Sequence, residues 1–262
     1  MNPAGKPGKQ GALMPVEEAL ERLLAMAGSA PILERERLPL AATQGRVLAE
    51  ALISSLDLPP WPNSAMDGYA LRLEDWRGEP LPVSQRIFAG QAPEPLQPGT
   101  CARIFTGAPV PAGADCVEMQ ENAQVQDDQR VLFSEPLQLG QNIRPQGQET
   151  TVGEQVLAAG TRLGPIEQGL AASLGCAELE VVRRVRVAVL STGDELVEPG
   201  QPLGPGQIYN SNRVVLCSWL QRLGCEVLDA GILPDDLAAT RQRLAELGEV
   251  DLILSTGGVS VG

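Results

Sequence analysis

Polar and glycine-rich segments follow three apolar runs in the C-terminal third of the chain. The members that could bind a ligand or a cation are Ser191, Thr192, Gly193, Glu195, Asp235, Ser255, Gly257, Gly258 and Ser260. Glycines allow close approach of the backbone to an anion, and hydroxyls with exposed amides can hold phosphate oxygens. Carboxylates beside such loops can hold a Mg²⁺ ion that bridges phosphates. The pattern therefore indicates a site for a phosphorylated ligand and Mg²⁺.

A second group of polar loops lies between residues 63 and 144. It contains the segment 63–70 with Asp67, the loop 106–111 that begins at Thr106, and the segment 142–144 that ends at Arg144. The Arg144 guanidinium could bind an oxyanion or a surface carboxylate. The dipeptide Asp67-Gly68 is also typical of a turn between two strands. Periodicity alone does not choose between these readings.

The composition excludes several kinds of chemistry. The chain of 262 residues has no histidine, which excludes His-dependent triads and His-ligated zinc. Its only lysines are Lys6 and Lys9, near the N-terminus, so the rest of the chain offers no Schiff-base or phosphate-loop lysine. A net charge of -13 argues against a nucleic-acid partner. Carboxylates, hydroxyls, arginines, backbone amides and a bound cation remain.

Five cysteines, an odd number with no C-x-x-C pair, indicate buried thiols in a reducing compartment. No N-terminal signal sequence is recognisable, and no apolar run reaches the length of a membrane span. We therefore predict a cytoplasmic location and no membrane partner.

Hydrophobic periodicity predicts a multidomain chain of mixed α/β and β character. Residues 1–13 are expected to be a disordered tail. Residues 14–55 and 151–182 are expected to form a helical or mixed domain in two parts, with helices from Pro15 and over 41–54. Between them, Pro and Gly punctuate short apolar runs, which predicts an inserted β-rich domain over 56–150.

Strands and helices alternate from residue 183 to residue 262. Strands are expected over 185–190, 226–232 and 251–254, with a helix over 212–223 and another that starts at Asp235 and Asp236. This alternation predicts a parallel sheet. Ligands of such sheets bind beyond the carboxyl ends of the strands, where the polar segments of this domain lie.

Each polar segment taken alone has a simpler interpretation. A Ser-Thr-Gly sequence after a strand is often only a turn, and Asp235 would serve as an N-cap for the following helix. The coincidence of three such segments at one sheet edge favours a binding site. The chain lacks G-x-G-x-x-G, so a dinucleotide site has little support.

Six segments resemble, in the same order, those of the molybdopterin molybdenumtransferase family, whose module also forms the C-terminal part of gephyrin. They read N-S-A-M-D-G-Y-A (63–70), F-T-G-A-P-V-P (105–111), G-Q-N-I-R (140–144), S-T-G-D-E-L (191–196), G-Q-I-Y-N-S-N (206–212) and S-T-G-G-V-S-V-G (255–262). The resemblance covers nearly the whole chain from residue 15.

The resemblance implies insertion of molybdate into adenylated molybdopterin, with release of AMP in the presence of Mg²⁺. It implies an elongated homodimer whose site lies between the β-rich domain of one subunit and the molybdopterin-binding α/β domain of the other. By position, Asp67, Thr106 and Arg144 would line one wall, and Glu195 and Asp235 the other. The loop with Ser255, Gly257, Gly258 and Ser260 would hold phosphate. Molybdopterin adenylyltransferase and molybdoenzymes would be the upstream and downstream partners.

Three departures from the family pattern affect the expected site. Glu149 stands where the family has the aspartate of a G-E-D sequence, and it is expected to act as a metal ligand that keeps the charge on a longer arm. Asn210 stands where many relatives have aspartate. The family continues beyond the position of Gly262 with a lysine-bearing loop and further elements, so we expect the parallel sheet to be incomplete and the chain to be a fragment.

Three other functions are compatible with the resemblance. A molybdopterin adenylyltransferase shares the α/β module, although the long N-terminal part and residues 63–68 argue against it. A scaffold that binds receptor peptides, as gephyrin does, has no distinguishing feature in the sequence. An inactive fragment that binds molybdopterin without turnover is the third.

Overall fold

The computed structural model describes residues 14–29, 31–134 and 136–257. Its helices are α1 Val16–Ser29, α2 Pro165–Ser173, α3 Ser211–Leu223 and α4 Leu237–Glu246. Its strands are β1 Arg35–Pro39, β2 Val47–Leu48, β3 Leu52–Ile53, β4 Asn63–Ser64, β5 Gly68–Leu71, β6 Leu81–Ile87, β7 Cys101–Ile104, β8 Cys116–Met119, β9 Ala123–Val125, β10 Arg130–Phe133, β11 Ile143–Arg144, β12 Gln155–Leu157, β13 Glu178–Val182, β14 Arg186–Thr192, β15 Leu196–Val197, β16 Ile208–Tyr209, β17 Glu226–Leu233 and β18 Leu252–Thr256. Short 3₁₀ helices lie at Leu40–Ala42, Leu73–Asp75 and Gln120–Asn122.

The chain divides into two compact units. One, here called the parallel-sheet unit, comprises the chain up to Leu38, Gly45–Ala49 and the chain from Glu180 onward. The other, the six-stranded unit, comprises Pro39–Gln44 and Glu50–Leu179. The mixed α/β character expected from the sequence is confirmed. Within the described residues, no helix combines the length and apolar character that crossing a bilayer requires.

The six-stranded unit is built on a sheet of order β8-β5-β7-β6-β10-β9, in which β6 and β7 are parallel and the other neighbours antiparallel. Alternation along β5 sends Tyr69 and Leu71 into one apolar cluster and Ala70 into the other. Both faces of the sheet therefore carry buried apolar side chains.

The parallel-sheet unit contains the predicted parallel sheet, with β14 between β17 and β18. Val187 and Val189 pack on one face with Leu220 of α3, whereas Ala188 and Leu190 pack on the other with Leu247. Burial on both faces explains why β14 is an almost continuous apolar run. The strand predictions for this region are confirmed, with ends shifted by at most two residues.

Helix termini match the local sequence. Asn210 caps α3, since its side chain accepts a hydrogen bond from the Arg213 N–H, and Gly224 ends that helix with φ of 92°. For α4 the cap is Asp236, which accepts from the Ala239 N–H at 2.7 Å. The expectation that Asp235 would cap this helix is wrong by one residue, because the chain turns at Asp236. The predicted α1 is confirmed, but none of its residues is buried in the described part of the chain.

The second helix predicted for residues 41–54 is wrong. Only the 3₁₀ turn Leu40–Ala42 is helical there, and β2 and β3 follow. The strand β2 pairs with β13, and β3 pairs with β12. Gly45, with φ of 73°, interrupts a helical path, and the pairing with residues far along the chain replaces it. The domain predicted as helical over 14–55 is therefore largely extended after α1.

Candidate functional site

A pocket of about 160 Å³ lies at the carboxyl ends of β14 and β18, beside the first turn of α3. Its lining residues are Thr192, Glu195, Leu196, Ile208, Tyr209, Asn210, Ser211, Asn212, Thr256 and Gly257. The position agrees with the rule that ligands of parallel sheets bind beyond the carboxyl strand ends. It lies entirely within the parallel-sheet unit.

A chain of buried polar groups forms the wall of this pocket between the strands and α3. Ser191 Oγ donates to Asn210 Oδ1 at 3.4 Å, and Thr256 Oγ1 lies 2.6 Å from Ser191 Oγ. Either hydroxyl can donate in the Ser191–Thr256 bond. Ser191 is fully buried and Asn210 nearly so. Ser191, predicted to bind substrate, therefore ties the strand ends to α3, whereas Thr192 lines the pocket.

At two glycines near the pocket, an added side chain would clash with neighbouring atoms. A Cβ on Gly257, where φ is 109°, would lie 2.4 Å from the Thr192 carbonyl oxygen. A Cβ on Gly193, where φ is 144°, would lie 2.4 Å from Glu195 Oε2. The first glycine lets the ends of β18 and β14 meet, and the second makes room for the Glu195 carboxylate.

The acidic candidates of the parallel-sheet unit differ in their surroundings. Glu195 lines the pocket, and its carboxylate has no hydrogen-bond or ion-pair partner among the described residues. Asp235 is exposed and is not a lining residue; its backbone N–H donates to Asp194 Oδ1 at 3.3 Å. Ser255 is exposed on β18, and its neighbour Thr256 is the one that lines the pocket. Gly258 and Ser260 lie outside the described residues.

Three loops that are distant in sequence meet in the six-stranded unit. The Ser64 N–H donates to the Ala108 carbonyl at 3.0 Å, and the Gly107 N–H donates to the Ser64 carbonyl at 2.8 Å. The Ala65 N–H donates to the Asn142 carbonyl at 2.8 Å, and β4 pairs with β11. The structure thereby brings together the segments 63–70, 105–111 and 140–144.

Asp67 and Thr106 form the most closely coupled pair at this junction. Asp67 Oδ1 accepts from the Thr106 N–H at 2.8 Å and from Thr106 Oγ1 at 2.7 Å. These two donors hold the pKa of the Asp67 carboxyl below its ordinary value of 3.8, with a smaller contribution from the charge of Arg103. Asp67 is therefore an ionised carboxylate in a fixed orientation at neutral pH.

Arg144 lies at the end of this junction and Glu149 lies five residues further along the chain, and both residues are exposed. Arg144 ends β11 opposite Asn63, and the Glu149 N–H donates to the Leu58 carbonyl at 2.8 Å. Neither side chain has a hydrogen-bond or ion-pair partner among the described residues. Both charges are thus available to a ligand. That these residues share a cleft with Glu195 and Asp235 stays a prediction.

Mg²⁺ is the metal that the sequence predicts. The described residues can be tested for the ligands that this ion requires. No group of three or more Cys, Asp or Glu side chains suited to a metal occurs among them. Mg²⁺ is commonly held by one or two carboxylates together with waters and substrate phosphates. The lone Glu195 carboxylate at the pocket suits an ion shared with a phosphate ligand rather than an ion held by the protein alone.

The sequence prediction missed several residues that the structure places at the two sites. Tyr209, Asn210, Asn212 and Thr256 line the pocket, and of these the sequence singled out only Asn210, as a departure from the family pattern without an assigned role. Asn210 could have been found, because an Asn before a helical pattern is an N-cap signal at a strand-to-helix junction. Arg103 donates to the Gly68 carbonyl at 2.8 Å, and its guanidinium lies 4.6 Å from the centre of the Phe105 ring. Nothing in its local sequence indicated that role.

Comparison with known protein families gives two matches along the chain. Residues 14–175 match the MoeA N-terminal region (domain I and II), and residues 188–262 match the probable molybdopterin binding domain. The chain belongs to the MoeA family. The resemblance recognised in its six motifs is thereby confirmed.

Individual relatives agree with this assignment. Molybdopterin molybdenumtransferase from Haemophilus influenzae is 44% identical over 232 residues, which cover 87% of this chain and 57% of that protein. The protein of the same name from Synechococcus elongatus is 43% identical, over 93% of this chain and 63% of its own length. The crystal structure of the molybdopterin biosynthesis moeA protein from Pyrococcus horikoshii OT3 is 33% identical, with a TM-score of 0.84 over 94% of this chain and 66% of that one. The chain spans about three fifths of the length of these relatives.

Proposed function

We propose that the chain carries out molybdate insertion in molybdenum cofactor biosynthesis, as a molybdopterin molybdenumtransferase. The substrates would be adenylated molybdopterin and molybdate, and cleavage of the adenylate would release AMP. Support comes from the family matches over 14–175 and 188–262 and from relatives of that name. The match to the N-terminal region favours this activity over adenylylation of molybdopterin.

The observation that carries the proposal is the Asp67–Thr106 pair at the junction of three motif loops. Its two hydrogen bonds fix an ionised carboxylate between the start of β5 and the end of β7 in the six-stranded sheet. A carboxylate with a lowered pKa is a poor proton donor at neutral pH. We therefore assign Asp67 a charge-based role, which is to orient a polar or cationic group of the bound substrate.

Two further side chains of this unit would meet the anionic groups of the substrates. The exposed guanidinium of Arg144 offers a planar set of donors for phosphate or molybdate oxygens. Glu149 would serve as an acidic ligand near the same loops. The lack of protein partners for both side chains among the described residues supports these assignments.

The pocket of the parallel-sheet unit would receive a phosphate-bearing part of the substrate. Thr192, Gly193 and Gly257 would bring hydroxyl and backbone groups close to it, and Ser255, Gly258 and Ser260 belong to the sequence motif 255–262 that contains Gly257. Glu195 and Asp235 would hold Mg²⁺, which when bound neutralises phosphate charge. No protein nucleophile is required, and catalysis would come from positioning and charge neutralisation.

The proposal also covers assembly and location. A homodimer would combine the six-stranded unit of one subunit with the parallel-sheet unit of the other. The reaction would take place in the cytoplasm, where the five free thiols stay reduced. A molybdopterin adenylyltransferase would supply the substrate, and molybdoenzymes would receive the product.

The test is AMP release from adenylated molybdopterin by the purified chain with Mg²⁺ and molybdate. We expect Asp67→Asn to lower the rate on the order of 100-fold, because the loss of a fixed charge disturbs the position of the substrate. Asp127→Asn, the same exchange on the exposed β9–β10 turn, should leave the rate unchanged. Absence of AMP release by the unmodified chain at saturating substrate would contradict the proposed activity. An unchanged rate for Asp67→Asn would remove Asp67 from the site.

A further inference from the structure

The side-chain nitrogen of Asn210, Nδ2, has no hydrogen-bond partner among the described residues. Asn210 is 2% exposed and lines the pocket at the carboxyl ends of β14 and β18. Its Nδ2 is buried and has no acceptor among the described residues. Buried donors are nearly always paired, so an unpaired one in a pocket wall points to a ligand.

The orientation of this amide follows from its neighbours. The Arg213 N–H can only donate, so the amide atom that faces it is the oxygen. The same Oδ1 accepts from Ser191 Oγ. Both bonds identify the atom that faces away from Arg213 and Ser191 as Nδ2. A rotation of the amide by 180° would place the Nδ2 donor opposite the Arg213 N–H, which is also a donor.

The other groups at this end of the pocket are also donors. Ser211 and Asn212 form the first turn of α3, whose backbone N–H groups have no acceptor within the helix. The helix is 13 residues long, and the positive end of its dipole lies here. The Thr192 hydroxyl is a further lining group. The cavity of about 160 Å³ has room for a compact tetrahedral group.

We infer that Asn210 is a ligand-binding residue and that the pocket holds a tetrahedral oxyanion, with Nδ2 and the first-turn amides of α3 as donors. The inference rests on the proposed function, because it names the group that this end of the site receives. A phosphate group of the substrate and free molybdate share the required chemistry. Asparagine supplies a neutral donor, whereas aspartate at this position would present a second negative charge beside Glu195.

The experiment compares oxyanion binding by two variants that retain the cap of α3. Asp and Ser both cap helices, so Asn210→Asp and Asn210→Ser each keep an acceptor for the Arg213 N–H and lose Nδ2. Isothermal titration of the full chain at pH 7.5 would use inorganic phosphate and molybdate in separate arms, each with and without Mg²⁺. We expect one saturable site per chain. Affinity should fall at least ~10-fold in Asn210→Ser and further in Asn210→Asp, because aspartate adds repulsion.

Gln221→Glu is the matched control, since it adds one negative charge on an exposed position of the same helix, outside the pocket. Its oxyanion affinity should equal that of the unmodified chain. Equal affinity in all three Asn210 forms, or no saturable binding of either anion, would overturn the inference. Preference for one anion identifies its source as phosphate or as molybdate. Binding is measured without turnover, so failure here leaves AMP release as an independent test of the proposed function.

Discussion

The two units satisfy the polar groups of their candidate sites in opposite ways. In the six-stranded unit, Asp67 already has two hydrogen bonds from Thr106, and backbone bonds between loops fix both residues. In the parallel-sheet unit, Glu195 and the Nδ2 of Asn210 line a pocket without partners among the described residues. The first arrangement is preorganised by the protein, whereas the second leaves polar groups for the ligand that we propose binds there.

The six-stranded sheet is also more completely buried than the parallel sheet. The six-stranded sheet has buried apolar clusters on both faces. The parallel sheet buries β14, but Leu252 and Ile253 on β18 and Trp219 on α3 are exposed. A rigid scaffold suits a site whose geometry must be held in advance.

The largest expected effect comes from the core of the six-stranded unit. Leu71 on β5 is fully buried among the side chains of one cluster. We expect Leu71→Ala to lower the free energy of unfolding by about 2–5 kcal/mol, through lost burial and a residual cavity. Leu252→Ala on β18, where the side chain is 45% exposed, should change it by less than about 0.5 kcal/mol. Urea unfolding of both variants measures this, and a comparable cost for Leu252 would break the contrast between the two sheets.

The sequence predicted the strands and helices of the parallel-sheet unit better, because the signals for these elements lie within the elements themselves. A buried parallel strand such as β14 is a continuous apolar run, and Gly224 marks a helix end within the same segment. The failure at residues 41–54 has the opposite cause. Val47 and Leu48 have helical spacing with Ala51 and Leu52, but pairing with β13, more than 130 residues away, decides their structure.

The candidate site shows the same limit. The sequence identified Asp67, Thr106 and Arg144 as candidate site residues. It could not show that they meet, because their proximity depends on hydrogen bonds among three loops that are distant in sequence. The pocket position at the strand ends was predictable from the parallel topology. That Thr256 rather than Ser255 lines it depends on the register of β18 against β14, which a run of polar residues does not specify.

A smaller effect sharpens the preorganisation of Asp67. Thr106→Val removes the hydroxyl donor and keeps the backbone N–H, which is the stronger cause of the lowered pKa. The pKa of Asp67 should rise towards 3.8 but stay below it, as measured by carboxyl-carbon NMR titration. AMP release should fall about 10-fold, the cost of one hydrogen bond to a charged group. Thr106→Ser retains the hydroxyl and should restore both values. An unchanged pKa in Thr106→Val would mean that the hydroxyl does not hold the carboxylate.

The smallest effect tests whether the parallel-sheet unit has a preorganised ion pair of its own. Arg183 donates to Asp251 through Nη1 at 2.7 Å and Nη2 at 2.8 Å, and the Arg186 N–H donates to the same carboxylate at 2.7 Å. The Arg183 guanidinium, followed by the Arg186 N–H, lowers the pKa of Asp251 from 3.8 to about 2. A lowered folded-state pKa stabilises the fold fully above pH 3.8, and this contribution is lost as the pH falls through about 2. Solvent screening limits it to about 1 kcal/mol. Asp251→Asn should therefore lower the free energy of unfolding by that amount at pH 7 and by much less at pH 2. If Asp251→Asn changes the free energy of unfolding equally at both pH values, the pair acts by packing rather than by charge. A carboxylate held in its ionised form by fixed donors, as at Asp67, would then be a feature of the six-stranded unit and not of this pair.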